Sequence, residues 1–218
     1  MFEILKAGGY IMIPLVLASI VAIGIILERL WTLRRVAVIP PKLGAEVRDW
    51  VKSPKFDRSH IEKLRQNSPL GAVLAAIVQH RHRSRDVLRD KAEEAGRQVV
   101  HQLSRFLNTL GTIATVAPLL GLLGTVMGLI RMFLVITNFG IGDANKLAGG
   151  IGEALVATAA GLCVAILAYL FHRYFRGRVL DLAHELEREA GLLLDALEMG
   201  HEAPSTSAQA AAAQRASR

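Results

Sequence analysis

The feature that most constrains this chain is a run of 25 residues, Phe106–Ile130, that contains no charged side chain. At a helical rise of about 1.5 Å per residue, this run can cross the roughly 30 Å of hydrocarbon in a bilayer. Two more apolar runs of similar length, Ala7–Leu27 and Leu147–Phe171, lie before and after it. The sequence therefore predicts an all-α integral membrane protein with three transmembrane helices in the lipid bilayer.

The placement of charge predicts how these helices are oriented. The 218 residues have a formal net charge of +7, and the cations cluster beside the apolar runs. Arginines with nearby aromatic residues, such as Arg29 with Trp31 and Arg173 with Tyr174, are typical of cytoplasmic membrane flanks. We therefore expect a periplasmic N-terminus and a cytoplasmic C-terminus. Few aromatic residues stand among the cations, which argues against nucleic-acid binding.

The order of apolar and charged segments predicts the organisation of the chain. The expected segments are an N-terminal segment with the first transmembrane helix (1–30), a cytoplasmic helical segment (31–105), the second transmembrane helix (106–137), a periplasmic loop (138–146), the third transmembrane helix (147–172), a cytoplasmic helix (173–203) and a disordered tail (204–218). The first apolar run is too long for a secretory signal peptide and lacks a convincing cleavage site, so we expect it to be retained.

Apolar residues at helical spacing continue on the cytoplasmic side of the second and third helices, so both are expected to extend far into the cytoplasm. No proline separates Ser84 from the second apolar run, which predicts one continuous helix there. Helices of that length need neighbours along their length. In the cytoplasmic segment, Ser68 followed by Pro69 predicts the start of a short helix.

Small and polar residues recur on one face of each inner helix. On the second helix, spacings of three and four join Asn108, Gly111, Thr115, Pro118, Leu122, Thr125, Leu129 and Met132, and a G-x-x-x-G pair, Gly124 and Gly128, lies among them. On the third helix the equivalent set is Ala154, Thr158, Gly161, Ala165 and Ala168. Such stripes either pack helices closely, with threonines bonded to backbone carbonyls, or line a polar path.

The depth of three residues favours a path for ions. Thr125 and Thr158 are each expected roughly 17 Å below the outer surface, counted along the helices. Glu153 is the only carboxylate in the two inner apolar runs, and an acid at that position is costly unless it serves a purpose. We therefore predict an ion pathway through these three residues. The alternative is that Glu153 pairs structurally across a subunit interface, while Arg131 extends to the membrane surface.

No other motif predicts a catalytic centre, a metal site or a cofactor site. The run HRHR at 80–83 has no third ligand nearby and is more typical of a solvated charged surface. The run HELER at 184–188 lacks the second histidine of a zinc protease. Ser19 stands in the first apolar run without a base near it, so we do not expect an enzyme.

Two segments resemble the signature segments of the ExbB, TolQ and MotA proton-channel family: PLLGLLGTVMGLI at 118–130 and GIGEALVATAAGLCVAI at 150–166. The order of spans is similar to that of the ExbB and TolQ branch over residues 5–198. The resemblance implies that Thr125 and Thr158 match the family's pore-lining threonines and that Glu153 matches its intramembrane glutamate. The remaining stripe residues would line the pore or pack helices: Thr115, Pro118, Gly124, Gly128, Ala154, Gly161 and Ala165.

The resemblance also implies partners and a location. It implies a homo-oligomer, a pentamer in this family, that encloses the helices of an ExbD- or TolR-like subunit in the bacterial inner membrane. Proton-motive force would then energise a TonB-like periplasmic protein for outer-membrane transport. The essential aspartate of such systems belongs to the partner subunit. A TolQ-like role in envelope integrity, a non-conducting membrane scaffold, and sodium in place of protons stay open.

Overall fold

A computed structural model describes residues 9–51, 58–139 and 144–216, with side chains described for 9–51, 60–137 and 148–199. Within these ranges the secondary structure is α-helical and contains no strand. The helices are α1 (Met12–Thr32), α2 (Arg35–Val38), α3 (Leu43–Val51), α4 (Arg58–Asn67), α5 (Pro69–Gln79), α6 (Arg85–Leu103), α7 (Leu107–Phe139) and α8 (Ala144–Ala216).

Three helical stretches of the described chain are long and apolar enough to cross a membrane, which agrees with the predicted number. They lie in Met12–Thr32, Arg85–Thr137 and Ala148–Met199. Their apolar parts belong to the first of two compact units, which contains residues up to Trp31 together with Arg105–Arg176. We call this the membrane unit. The second, called here the polar unit, contains Thr32–Ser104 and the chain from Gly177 onward.

In the polar unit, α5 is the central helix and packs against α3, α4 and α6. The predicted start of α5 is confirmed: Pro69 is its first residue, and the Ser68 hydroxyl accepts a hydrogen bond from the Gly71 backbone N–H at 3.1 Å. The part of α8 in this unit buries one apolar stripe. Two glutamates of the same part of α8 form ion pairs with α2 and α3. Glu185 pairs with Arg35 at 2.8 Å, and Glu189 pairs with Arg48 at 3.1 Å.

The prediction of one continuous helix from Ser84 through the second apolar run is wrong. The chain leaves the helical conformation between the end of α6 at Leu103 and the start of α7 at Leu107. Phe106 has a φ of 63°, which a right-handed helix cannot accommodate. Its ring lies 5.6 Å from the Arg29 guanidinium carbon and 4.6 Å from that of Arg105. Two cations over one aromatic ring stabilise this local conformation and offset part of its cost.

The other predicted boundaries differ in extent. α7 continues to Phe139 and α8 begins at Ala144, so the connection between them is shorter than the predicted 138–146. Residues 140–143, which form this connection, lie outside the described residues, as do 1–8. The backbone of α8 continues to Ala216, through most of the segment predicted to be disordered. That segment is rich in alanine, the residue with the highest helix propensity.

Candidate functional site

The membrane unit is organised around a close contact between α7 and α8. Eight small residues form this contact, and we call them the α7–α8 seam: Ala117, Gly121, Gly124 and Gly128 on α7 with Gly150, Ala154, Ala157 and Gly161 on α8. A Cβ added to Gly161 would lie 2.7 Å from the Ala117 carbonyl oxygen and 2.9 Å from the Gly121 Cα. A Cβ on Gly128 would lie 2.9 Å from the Gly150 carbonyl oxygen. The two backbones therefore touch, as small residues allow in membrane helices.

The predicted stripe residues divide between the seam and the surface. Gly124, Gly128, Ala154 and Gly161 lie in the seam, and Ala165 is buried beside it in a cluster with Met12, Leu15 and Ala117. Thr115 and Pro118 lie outside it. The Thr115 hydroxyl donates within its own helix to the Thr112 carbonyl oxygen at 2.9 Å.

The predicted polar face of α7 is mostly directed away from the seam. Leu122 is 58% exposed and Leu129 is 44% exposed, and Asn108 and Thr115 are exposed as well. Two residues near its ends do lie against α8: a Cβ added to Gly111 would lie 3.2 Å from the His172 ring, and a Cβ added to Gly150 would lie 3.3 Å from the Met132 Cβ. Between them, the neighbouring stripe of glycines makes the contact with α8. The predicted face was chosen mainly for its polar residues, and most of it is directed outward. Selection of the smallest residues instead would have included Ala117 and Gly121 in the packing face.

The side chain of Thr158 forms a hydrogen bond across the seam. Its hydroxyl donates a hydrogen bond to the Gly121 carbonyl oxygen at 3.1 Å, from α8 to α7. This contact needs a glycine at 121, since a Cβ there would lie only 3.2 Å from the Thr158 Cα. The acceptor was not predictable, because a backbone carbonyl has no sequence signature of its own.

Thr125 lies at the same level as Thr158. It is 14 residues before the end of α7 at Phe139, and Thr158 is 14 residues after the start of α8 at Ala144. Each hydroxyl is therefore about 21 Å along its helix from the connection, at 1.5 Å per residue. The neighbouring residues Gly124 and Ala157 are in direct contact, which fixes this register. The Thr125 hydroxyl donates to the Leu122 carbonyl oxygen at 2.6 Å.

Glu153 lies nearer the connection and has a partner within the same chain. Its carboxylate accepts a hydrogen bond from the Arg131 guanidinium of α7, in an ion pair whose side chains are 37% exposed for Arg131 and 19% exposed for Glu153. Arg131 was expected to extend to the membrane surface by itself, but it pairs across the hairpin instead. Arg131 is the one charged residue of α7, and Glu153 is the one charged residue of 147–171. The sequence alone does not show that the two side chains lie at the same level.

The arrangement supplies hydroxyl groups and a carboxylate that can exchange hydrogen bonds with water. A hydroxyl can both donate and accept a hydrogen bond, so two hydroxyls at one depth can take part in a chain of water molecules. Across the ranges that the structure describes, no three His, Cys, Asp or Glu side chains are grouped to hold a metal ion. In the HRHR run, the His80 ring is hydrogen-bonded to the Ala76 carbonyl at 2.9 Å.

Comparison with known proteins gives concordant matches. A model of the MotA/TolQ/ExbB proton channel family matches residues 65–188. The ExbB-like protein 1 of Synechocystis sp. is 38% identical over 177 residues, which cover 78% of this chain and 68% of that protein. The ExbB-like protein 3 of the same organism is 30% identical over 189 residues, 85% of this chain and 89% of that protein. The biopolymer transport protein ExbB of Neisseria gonorrhoeae is 33% identical over 93 residues, 43% of this chain and 42% of that protein.

Proposed function

The chain belongs to the MotA/TolQ/ExbB proton channel family, and on this premise we propose that it is the ExbB-like subunit of a proton channel and motor in the bacterial inner membrane. In this proposal it assembles as a homopentamer around the transmembrane helices of an ExbD-like subunit. Proton flow through the complex energises a TonB-like periplasmic protein for outer-membrane transport. The chain acts as a channel subunit, without an enzymatic step or a cofactor.

The observation that carries the proposal is the position of Thr158. Its hydroxyl lies on the α7 side of α8, deep in the membrane unit, and Thr125 lies at the same level. A proton path through hydrocarbon needs groups that exchange hydrogen bonds with water at that depth. Thr125 and Thr158 supply such groups about 21 Å along each helix from the connection, and Glu153 supplies a charge nearer the connection.

The orientation in the proposal follows from the charged ends of the helices. Arg29 lies at the end of α1 that leads into the polar unit, and Arg173 and Arg176 lie at the corresponding end of the apolar part of α8. Cations accumulate on the cytoplasmic side of membrane helices. The connection between α7 and α8 is then periplasmic, as is the N-terminus, and the C-terminus is cytoplasmic.

The first experiment replaces Thr158 by Val in the complex with its ExbD-like subunit and measures proton uptake into liposomes. Valine has nearly the shape of threonine but cannot donate to the Gly121 carbonyl or to water, so we expect at least a tenfold loss of flux with normal assembly. Thr137→Val is the matched control, because the Thr137 hydroxyl is exposed and, among the residues whose side chains are described, bonds its own helix at the Leu134 carbonyl at 3.0 Å.

Flux in Thr158→Val equal to that in Thr137→Val, with equal assembly by size-exclusion chromatography, would remove Thr158 from the pathway. A control that also loses flux would show that conduction responds to any loss of a hydroxyl in these helices.

A second candidate function is a non-conducting scaffold, which one observation favours: the hydroxyls of Thr125 and Thr158 already donate to carbonyls of α7. A scaffold predicts a stable complex with no flux even in the wild type. A TolQ-like subunit is distinguished by its partner, since co-expression would then yield a stable complex with a TolR-like chain in preference to an ExbD-like chain.

A further inference from the structure

Three segments of the membrane unit meet at the Glu153 carboxylate. Arg131 of α7 donates to this carboxylate, and its guanidinium carbon also lies 5.4 Å from the centre of the Tyr10 ring, just before α1 begins. The backbone of Gly9 lies against the same carboxylate. One ion pair therefore connects the beginning of α1 to the hairpin formed by α7 and α8.

Gly9 lies so close to the ion pair that an added side chain would have to displace it. A Cβ added to it would overlap the Glu153 carboxylate and would lie 3.2 Å from an Arg131 guanidinium nitrogen. Its φ of 66° is also in the left-handed region that favours glycine. By contrast, a Cβ added to Gly24, inside α1, meets no atom within 4 Å.

We infer that Arg131 is a positioning residue: it holds Glu153 as a fixed counter-ion, and the pair fastens the start of α1 to the α7–α8 hairpin. The inference deepens the proposed function and rests on it for its effect on flux. An unpaired charge among apolar helices is costly, and a carboxylate paired with a guanidinium is less so. Among the residues that the structure describes, Arg131 is the only cation paired with Glu153.

This inference assigns Glu153 a role different from that of a proton carrier. A carrier must be a carboxyl group that gains and loses a proton, so it cannot be replaced by glutamine or arginine. A fixed counter-ion can be exchanged with its partner, or both can be made neutral, as long as neither charge is left alone. Exchange of the two charges therefore distinguishes these roles.

The experiment compares Arg131→Gln, Glu153→Gln, the double neutral variant, and the charge exchange Arg131→Glu with Glu153→Arg. Each is measured in the complex with the ExbD-like subunit for proton flux and for melting temperature. We expect each single variant to lose at least tenfold in flux and roughly 5 to 10 °C in melting temperature, because one charge is left unpaired. The double neutral variant and the charge exchange should recover both to near the wild-type values.

Assembled double variants that conduct no protons would overturn the inference, because they would identify Glu153 as a carrier. Strictly additive melting temperatures would also overturn it, because they would mean that the two residues do not act as a pair. If the wild type itself conducts nothing, the proposed function fails, and the melting temperatures of the same four variants still test the pair.

Gly9→Ala tests the third segment independently, with Gly24→Ala as its control in the same part of the chain. We expect Gly9→Ala to lower the melting temperature by several degrees, because alanine is strained at a φ of 66° and its Cβ must displace the Glu153 carboxylate. Gly24→Ala should leave the melting temperature unchanged or slightly higher, since alanine has the higher helix propensity. Equal effects of the two substitutions would contradict a role for Gly9 in holding the pair.

Discussion

Single glycines determine how closely α7 and α8 approach. At Gly161 the nearest atoms to an added Cβ are backbone atoms, the Ala117 carbonyl oxygen and the Gly121 Cα, which cannot rotate away as a side chain would. The same close approach places the Gly121 carbonyl within hydrogen-bond distance of the Thr158 hydroxyl. Packing and the position of the candidate pathway thus depend on the same few atoms.

Substitution of Gly161 by Ala tests this packing. The added methyl group must push α7 away from α8, which we expect to destabilise the complex by about 1 to 3 kcal/mol. Gly177→Ala is the control in the same helix, since a Cβ at Gly177 meets no atom within 4 Å. Thermal unfolding in detergent should show a lower midpoint only for Gly161→Ala. Unchanged stability in both variants would contradict a backbone contact at the seam.

The seam could be predicted in part from sequence, and the ion pair could not. Spacing of small residues identified Gly124, Gly128, Ala154 and Gly161, because residues three and four apart share one helix face. The pairing of Arg131 with Glu153 depends on the register between α7 and α8, which is the position of one helix along the other. That register follows from tertiary contacts at the seam, which no periodicity within a single helix encodes.

Helix ends are set by local chemistry where a capping side chain is present. The hydroxyl of Ser68 caps α5, whereas Ser84, at the same position before α6, makes no side-chain cap hydrogen bond. The cap of α5 was predictable because serine before proline is a local signal. The break at Phe106 was not, because apolar periodicity continues across it and a positive φ at phenylalanine is rare.

Removal of the two serine hydroxyls tests the difference between these ends. Ser68→Ala should destabilise the polar unit by about 1 kcal/mol, since the Gly71 N–H loses its partner in a buried position. Ser84→Ala should have a much smaller effect, because no cap hydrogen bond is lost. Chemical denaturation of the full chain in detergent measures both. A larger loss for Ser84→Ala would contradict this assignment of the caps.

At the scale of the whole molecule, three long apolar helices and the family match together describe a membrane protein of the MotA/TolQ/ExbB proton channel family. The number of spans was predictable because hydropathy is summed over about twenty residues, so errors at single positions matter little. The division into a membrane unit and a polar unit required the structure, because segments distant in the sequence join in each unit. In the proposed function, an ExbD-like subunit completes the channel.

The measurement that tests the central claim most directly is proton uptake by liposomes under an imposed proton gradient. Three preparations are compared: this chain alone, the ExbD-like subunit alone, and the complex of the two. We expect uptake with the complex only, because in the proposed function this chain supplies the two threonines and an ExbD-like subunit supplies the essential carboxylate. A stable complex that takes up no protons under the same gradient would contradict a channel and favour the scaffold.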